Sequence, residues 1–234
     1  MPIRAILFDK DGTLIDFQRT WGPATHAMFA HFSAGDRAIY RRLAAVSGFI
    51  IAEQRFQHDS LLIGGNTPDF GCLWAEILGR PPTTEFFTEI DRLYAEFGLE
   101  HLAPIGDPAS VLAALRQRGY RLGLATNDAE AGTHTQIARL GIAQFFEFVS
   151  GYDSRFGAKP DPGPVRAFAR GVAAEPREVA VVGDARHDLA AARAAGAVAV
   201  AVVSGPIPGE ELAPYADVLL DSIADLPAWL DGIS

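Results

Sequence analysis

The first strong pattern along the chain is Ile3–Phe8, a run in which only Arg4 is polar. A short apolar run of this kind reads as a strand buried on both faces, in the middle of a parallel sheet. It ends in Asp9-Lys10-Asp11-Gly12-Thr13, and the texture then changes. From about Asp16 to Leu102 apolar residues recur at helical intervals: Trp21, Ala24, Met28 and Phe32; Ile39, Leu43 and Val46; Phe70, Leu73, Trp74 and Ile77; Phe86, Phe87, Ile90, Leu93, Tyr94 and Phe97. Asn66-Thr67-Pro68 has the form of a helix start and Gly79-Arg80-Pro81-Pro82 that of a stop. Four or five helices and no strand are expected in this stretch.

From Pro104 onward strand and helix patterns alternate. Asp107-Pro108 opens a helix that runs to Gly119, and Leu122–Ala125 is a strand ending in Thr126-Asn127-Asp128. A helix to about Leu140 follows, then a short strand at Phe145–Val149 and a helix from Asp161-Pro162 to near Gly171. Val179–Val182 is a strand that runs into Gly183-Asp184, Leu189–Ala195 is helical, and Val198–Val203 and Val218–Leu220 are the last strands before a short closing helix. Alternation at this spacing predicts an α/β fold, a doubly wound parallel sheet covered on both faces. The expected domains are a core of residues 1–15 and 103–234 and an inserted all-helical cap at 16–102. The two crossing points would be the hinges of a lid above the acids.

Charge and composition narrow the chemistry. The net charge of −9 argues against a nucleic-acid surface and offers nothing to an anionic membrane. No apolar run reaches the roughly 18 residues that span a bilayer, and the N-terminus carries no secretory pattern. Cys72 is the sole cysteine, so an intrachain disulfide is ruled out, no cysteine-based zinc site is expected, and a reducing cytoplasm is the expected compartment. The expected assembly is a monomer or homodimer.

The polar residues of interest recur where strands end. Asp9 and Asp11 follow the first strand, Thr126 and Asn127 the second; Asp184 and Asp188 follow a later one, and Lys159 precedes a helix. In a parallel sheet such ends share one edge, so these groups are expected to converge. Taken singly, each suits a bland role: a solvated turn, a helix cap, a surface lysine. Lysine is scarce, however. Only Lys10 and Lys159 occur, and the remaining basic side chains are arginine and histidine. Carboxylates with other oxygen donors, and no His or Cys cluster, point to a hard divalent cation, with magnesium the leading choice.

These residues resemble the haloacid dehalogenase superfamily, and within it the phosphatases similar to phosphoglycolate phosphatase. Four motifs occur in order along the whole chain: Asp9-x-Asp11-Gly12-Thr13, Thr126-Asn127, Lys159-Pro160 and Gly183-Asp184-x-x-x-Asp188. The helical insertion resembles the first cap class of that superfamily. The resemblance implies that Asp9 attacks phosphorus and becomes an aspartyl-phosphate, and that Asp11 protonates the leaving oxygen and then activates water. It implies Mg2+ held by Asp9, the backbone carbonyl of Asp11 and Asp184. Asp188 is either an outer ligand or the partner of Lys159. Thr126, Asn127 and Lys159 would bind the phosphoryl oxygens of a small phosphorylated metabolite.

Departures from relatives refine the expectation. Lys10 stands where many relatives carry an apolar residue; its side chain is expected to point away from the acid pair and is given no catalytic role. True dehalogenases lack the second acid, present here as Asp11. Hexose-phosphate mutases place a cap histidine where this chain has Trp21, and phosphonate hydrolases use a cap lysine, which the insertion lacks. A phosphosugar mutase using the same intermediate and a non-catalytic binding module remain the alternatives. Polar cap residues such as Arg19, His26, Arg41 and Arg55 are candidates for reading the substrate.

Overall fold

The computed structural model describes residues 2–233. The chain divides into two compact units, one running to Asp16 and resuming at Pro104, the other spanning Phe17–Ala103. Strand β1 (Ala5–Phe8) opens the first unit. The second unit contributes α1 (Phe17–Ser33), α2 (Arg37–Val46), β2 (Phe49–Ile50), β3 (Arg55–Phe56), α3 (Thr67–Leu78) and α4 (Thr84–Glu100). The first unit resumes with α5 (Pro108–Gln117), β4 (Arg121–Ala125), α6 (Glu130–Arg139), β5 (Phe148–Ser150) and α7 (Gly163–Gly171). It closes with β6 (Val179–Gly183), α8 (Arg186–Ala195), β7 (Val198–Val202), α9 (Gly209–Leu212), β8 (Val218–Leu220) and α10 (Leu226–Gly232).

The sheet has six strands in the order β5-β4-β1-β6-β7-β8, and every pairing is parallel. The expected α/β doubly wound core is therefore present. β1 lies between β4 and β6, so the chain first builds outward on one side of β1 and then returns to the other. That reversal leaves a crevice beyond the carboxyl end of β1, where open sheets of this kind place their ligands. Both faces of the central strands are covered. Leu7, Val181, Ala199 and Ala201 pack with Val165, Phe168 and Leu189 of α7 and α8. The alternate positions Ile6, Phe8, Leu122, Leu124, Val182 and Val200 are equally buried. This two-sided burial is why the strands read as continuous apolar runs.

One strand sits later than expected. The stretch Ala143–Phe145 is a 3₁₀ turn, and β5 begins at Phe148, aligned with Gly123 of β4. The apolar run Phe145–Val149 hid this boundary, because the parallel register and not the run decides where pairing starts.

The second unit holds four helices and, against the expectation of no strand, a small antiparallel hairpin of β2 and β3. Two-residue strands are too short to show an alternating pattern. The hairpin is held from outside: the Gln18 side chain accepts from Phe56 N–H (2.9 Å) and donates to Phe56 C=O (3.1 Å). Phe49 and Phe56 stack edge to face across it. The expected start of α3 is present, with Asn66 as N-cap and proline in the first turn. The unit's core is aromatic: Phe29 meets Tyr40, Phe49 and Trp74, and the buried Trp74 Nε1 donates to Ser47 Oγ at 3.0 Å.

Candidate active site

The acidic stretch is a closed turn hung from the end of β1. Asp9 N–H donates to Val182 C=O on β6 at 2.8 Å. Lys10 C=O then accepts from Leu14 N–H (2.8 Å) and Ile15 N–H (3.0 Å), and Gly12 N–H donates to Ile15 C=O (2.7 Å). Gly12 has φ +79°, a left-handed conformation that glycine adopts without penalty. A Cβ there would also lie 2.1 Å from Asp184 Oδ2, so the turn and the carboxylate at the end of β6 press directly together.

Lys159 is buried, and its ammonium pairs with Asp9 Oδ1 and, at 2.6 Å, with Asp188 Oδ1. Asp188 is itself buried near the start of α8, where its second oxygen accepts from Ala185 N–H at 3.1 Å. Asp188 thus pairs with Lys159 and also contributes an oxygen to the acidic cluster, so both roles expected of it stay open. Asp9, Asp184 and Asp188 each offer a carboxylate oxygen within 4.8 Å of the others. Asn127 fixes the lysine from behind: its side chain accepts from Lys159 N–H and donates to Lys159 C=O, both at 2.9 Å. Thr126 Oγ1 accepts from Asp128 N–H at 3.1 Å, which leaves its own hydroxyl hydrogen as a donor. Both residues are buried at the end of β4.

Lys10 departs from expectation. It is fully buried, and its ammonium lies 2.6 Å from Asp11 Oδ2, 2.7 Å from Asp128 Oδ2 and 2.6 Å from Gln136 Oε1. The expectation that it points away from the acid pair is thus overturned. The two-residue alternation of a strand does not extend to Asp11, because β1 ends at Phe8 and Asp11 belongs to the turn. Asp9 and Asp11 consequently take different lysines as counter-charges.

Two further residues had no recognised sequence signal. Ser204 Oγ donates to Gly12 C=O at 2.7 Å, so the loop after β7 braces the acidic turn. A Cβ on Gly205 would lie 1.8 Å from Asp184 Oδ2. Gly205 is therefore the wall behind that carboxylate, and its position one residue past Ser204, after an apolar strand, was the available hint. Gly205→Ala is expected to displace Asp184 and lower turnover by about 10²-fold, the scale of a 1 Å misplacement. Turnover with the melting temperature measured alongside checks this; wild-type turnover would count against the contact.

The electrostatics follow from burying several acids together. Burial pushes Asp9 up to about 6; Lys159 opposes the rise and Asp188 adds to it. Burial likewise pushes Asp11 up to about 7, with Lys10 opposing and Asp128 and Asp9 adding. Asp184 is raised well above its ordinary carboxylate value by burial, then by Asp9 and Asp188. Burial works against the charge on Lys159, but Asp188 and Asp9 more than offset it and hold the ammonium charged. One ammonium cannot balance three carboxylates if all are ionised, so full ionisation would leave a negative excess. All-oxygen donors with that excess fit a hard divalent cation.

An open parallel sheet with an acid-rich crevice at its strand ends defines a class of α/β enzymes that place their chemistry at that edge. The chain belongs to the haloacid dehalogenase-like hydrolases, whose family model matches residues 3–196. It is 32% identical over 234 residues to the plasmid-encoded phosphoglycolate phosphatase of Cupriavidus necator, covering 98% of this chain and 94% of that one. It is 31% identical to the phosphoglycolate phosphatase of Salmonella typhimurium, covering 96% and 91%. Among solved structures it resembles CbbY from Rhodobacter sphaeroides in complex with phosphate (TM-score 0.69, 24% identity, 98% and 99% covered). A putative beta-phosphoglucomutase from Thermotoga maritima shares the fold to the same degree (TM-score 0.69, 20% identity, 99% and 100% covered). Among the described residues no helix is long and apolar enough to cross a membrane.

Proposed function

We propose that this chain is a magnesium-dependent phosphomonoester hydrolase that acts on a small phosphorylated metabolite through an aspartyl-phosphate. One observation carries the reading: the Lys159 ammonium between Asp9 and Asp188 at the strand ends, with Asp184 alongside. The relatives named phosphoglycolate phosphatase support phosphoglycolate as the first substrate to test, and sugar phosphates come next.

In the first half-reaction Asp9 attacks phosphorus, the bond to the ester oxygen breaks, and Asp11 gives its proton to that departing oxygen. In the second, Asp11 takes a proton from water, the water oxygen bonds to phosphorus, and the bond to Asp9 breaks, which releases phosphate and restores both acids. Lys159 supports the ionised Asp9 against the cost of its burial. Asp11, pushed up to about 7, has both of its required forms accessible near neutral pH. Thr126 offers a hydroxyl hydrogen to a phosphoryl oxygen, and Asn127 sets the loop that presents Lys159. A magnesium ion held by Asp9, Asp184 and the backbone carbonyl of Asp11 would neutralise charge on the phosphoryl group. The helical unit Phe17–Ala103 would act as the cap that selects the substrate, and the cytoplasm would be the compartment.

The test is phosphate release from a panel of small phosphoesters, first with magnesium and then with chelator. Release that stops with chelator supports the hydrolase. A folded protein that releases no phosphate from any ester overturns it, and interconversion of a phosphosugar without release would assign the mutase instead.

A further inference from the structure

Both lysines of this chain are buried at the strand ends, and the proposed reaction uses only Lys159. A fully buried lysine is rare unless paired, and Lys10 has three partners. Asp11 belongs to the acidic turn; Asp128 precedes α6 and Gln136 lies within it. The Gln136 side chain is itself buried, so its oxygen is committed to this contact. Asp128 is partly exposed and anchors the ammonium from the solvent side. Three acceptors around one ammonium fix its position. The contact to Asp11 is then the one that reaches the chemistry.

We infer that Lys10 is a positioning residue: held by Asp128 and Gln136, its ammonium fixes the orientation of the Asp11 carboxyl toward the leaving oxygen. The inference rests on the acid role of Asp11 given above. A purely structural role, tying β1 to α6, is the competing account, and the two differ in what they do to different esters. An alkyl ester needs its departing oxygen protonated. p-Nitrophenyl phosphate loses a stabilised phenolate and needs no such proton. In kcat/KM, which is set before the aspartyl-phosphate is hydrolysed, misplacing the acid therefore harms the alkyl ester selectively, whereas a loosened fold harms both alike.

The experiment measures kcat/KM for the best alkyl phosphomonoester of the panel and for p-nitrophenyl phosphate, in Lys10→Met and, as reference, Asp11→Asn. Lys10→Met is expected to lose roughly 10²-fold on the alkyl ester and only several-fold on p-nitrophenyl phosphate, in the same sense as Asp11→Asn. The paired variant Lys10→Met/Gln136→Leu removes the acceptor left facing the emptied slot, and guards against failure of the single variant to fold. It is expected to regain melting temperature without regaining the alkyl-ester rate. Equal losses on the two esters, with Asp11→Asn still discriminating, would overturn the role of Lys10 alone. Recovery of rate together with stability in the paired variant would overturn it too. If Asp11→Asn fails to discriminate, the acid role of Asp11 falls, and the inference with it.

Discussion

Asp9→Asn is expected to abolish phosphate release and to leave the fold intact. The amide has the shape of the carboxylate but cannot form the acyl-phosphate, and loss of a covalent nucleophile costs on the order of 10⁴-fold or more in turnover. The fold survives for an electrostatic reason. Asp9 is buried against Asp188 and near Asp184, and its carboxyl is already raised to about 6, so its ionised form is a burden on the native state. A neutral amide removes one of the crowded charges while Lys159 keeps Asp188 as partner. Single-turnover assays with labelled phosphoester, with a thermal melt alongside, check both halves. Turnover near wild type would refute the covalent mechanism, and an unfolded protein would refute the electrostatic account.

The second large effect is Lys159→Met, which should cost both catalysis and stability, the latter in a pH-dependent way. Breaking a buried ion pair by removing one partner typically costs about 3–5 kcal/mol, or roughly 10 °C in a chain of this size. The sign with pH follows from the acids. Asp9 has a folded value of about 6, above its unfolded 3.8, so its ionisation lowers native stability as pH rises through that window. Asp184 is raised as well and acts in the same direction. Lys159 is held above its ordinary value, so it stays charged from pH 5 to 8 and offsets this cost throughout. Without it the cost stands in full. The melting-temperature deficit of Lys159→Met should therefore be small at pH 5, where the acids take up protons, and large at pH 8. A deficit that does not grow with pH would show that the lysine does not carry this burden. Turnover should fall in parallel, because neither Asp9 nor the transferred phosphoryl group has its ammonium.

Much of this arrangement is legible in the sequence. The strands β1, β4, β6 and β7 read correctly because two-sided burial leaves an unbroken apolar run, and α3 because its cap and proline are local signals. Burial overturned the bland reading of Lys159 as a surface lysine, and Asp188, although its side chain bonds the first turn of α8, is buried against that ammonium. The hairpin β2–β3 and the start of β5 were not legible. The first is too short to have a period, and the second is chosen by its alignment with β4.

The sequence by itself determined the alternation of strand and helix in the core and most of the groups that the carboxyl edge of the sheet gathers. Periodicity is a property of neighbours, and every parallel strand delivers its end to the same side. Only the tertiary structure decided which charge answers which. Lys10 reaches Asp128 across 118 positions, Lys159 reaches Asp9 across 150, and Ser204 braces Gly12 across 192. Spacing along the chain cannot encode such pairings. They depend on how far each side chain extends once the turn after β1 has left the strand's alternation, and on where α6 and the loop after β7 come to rest against it.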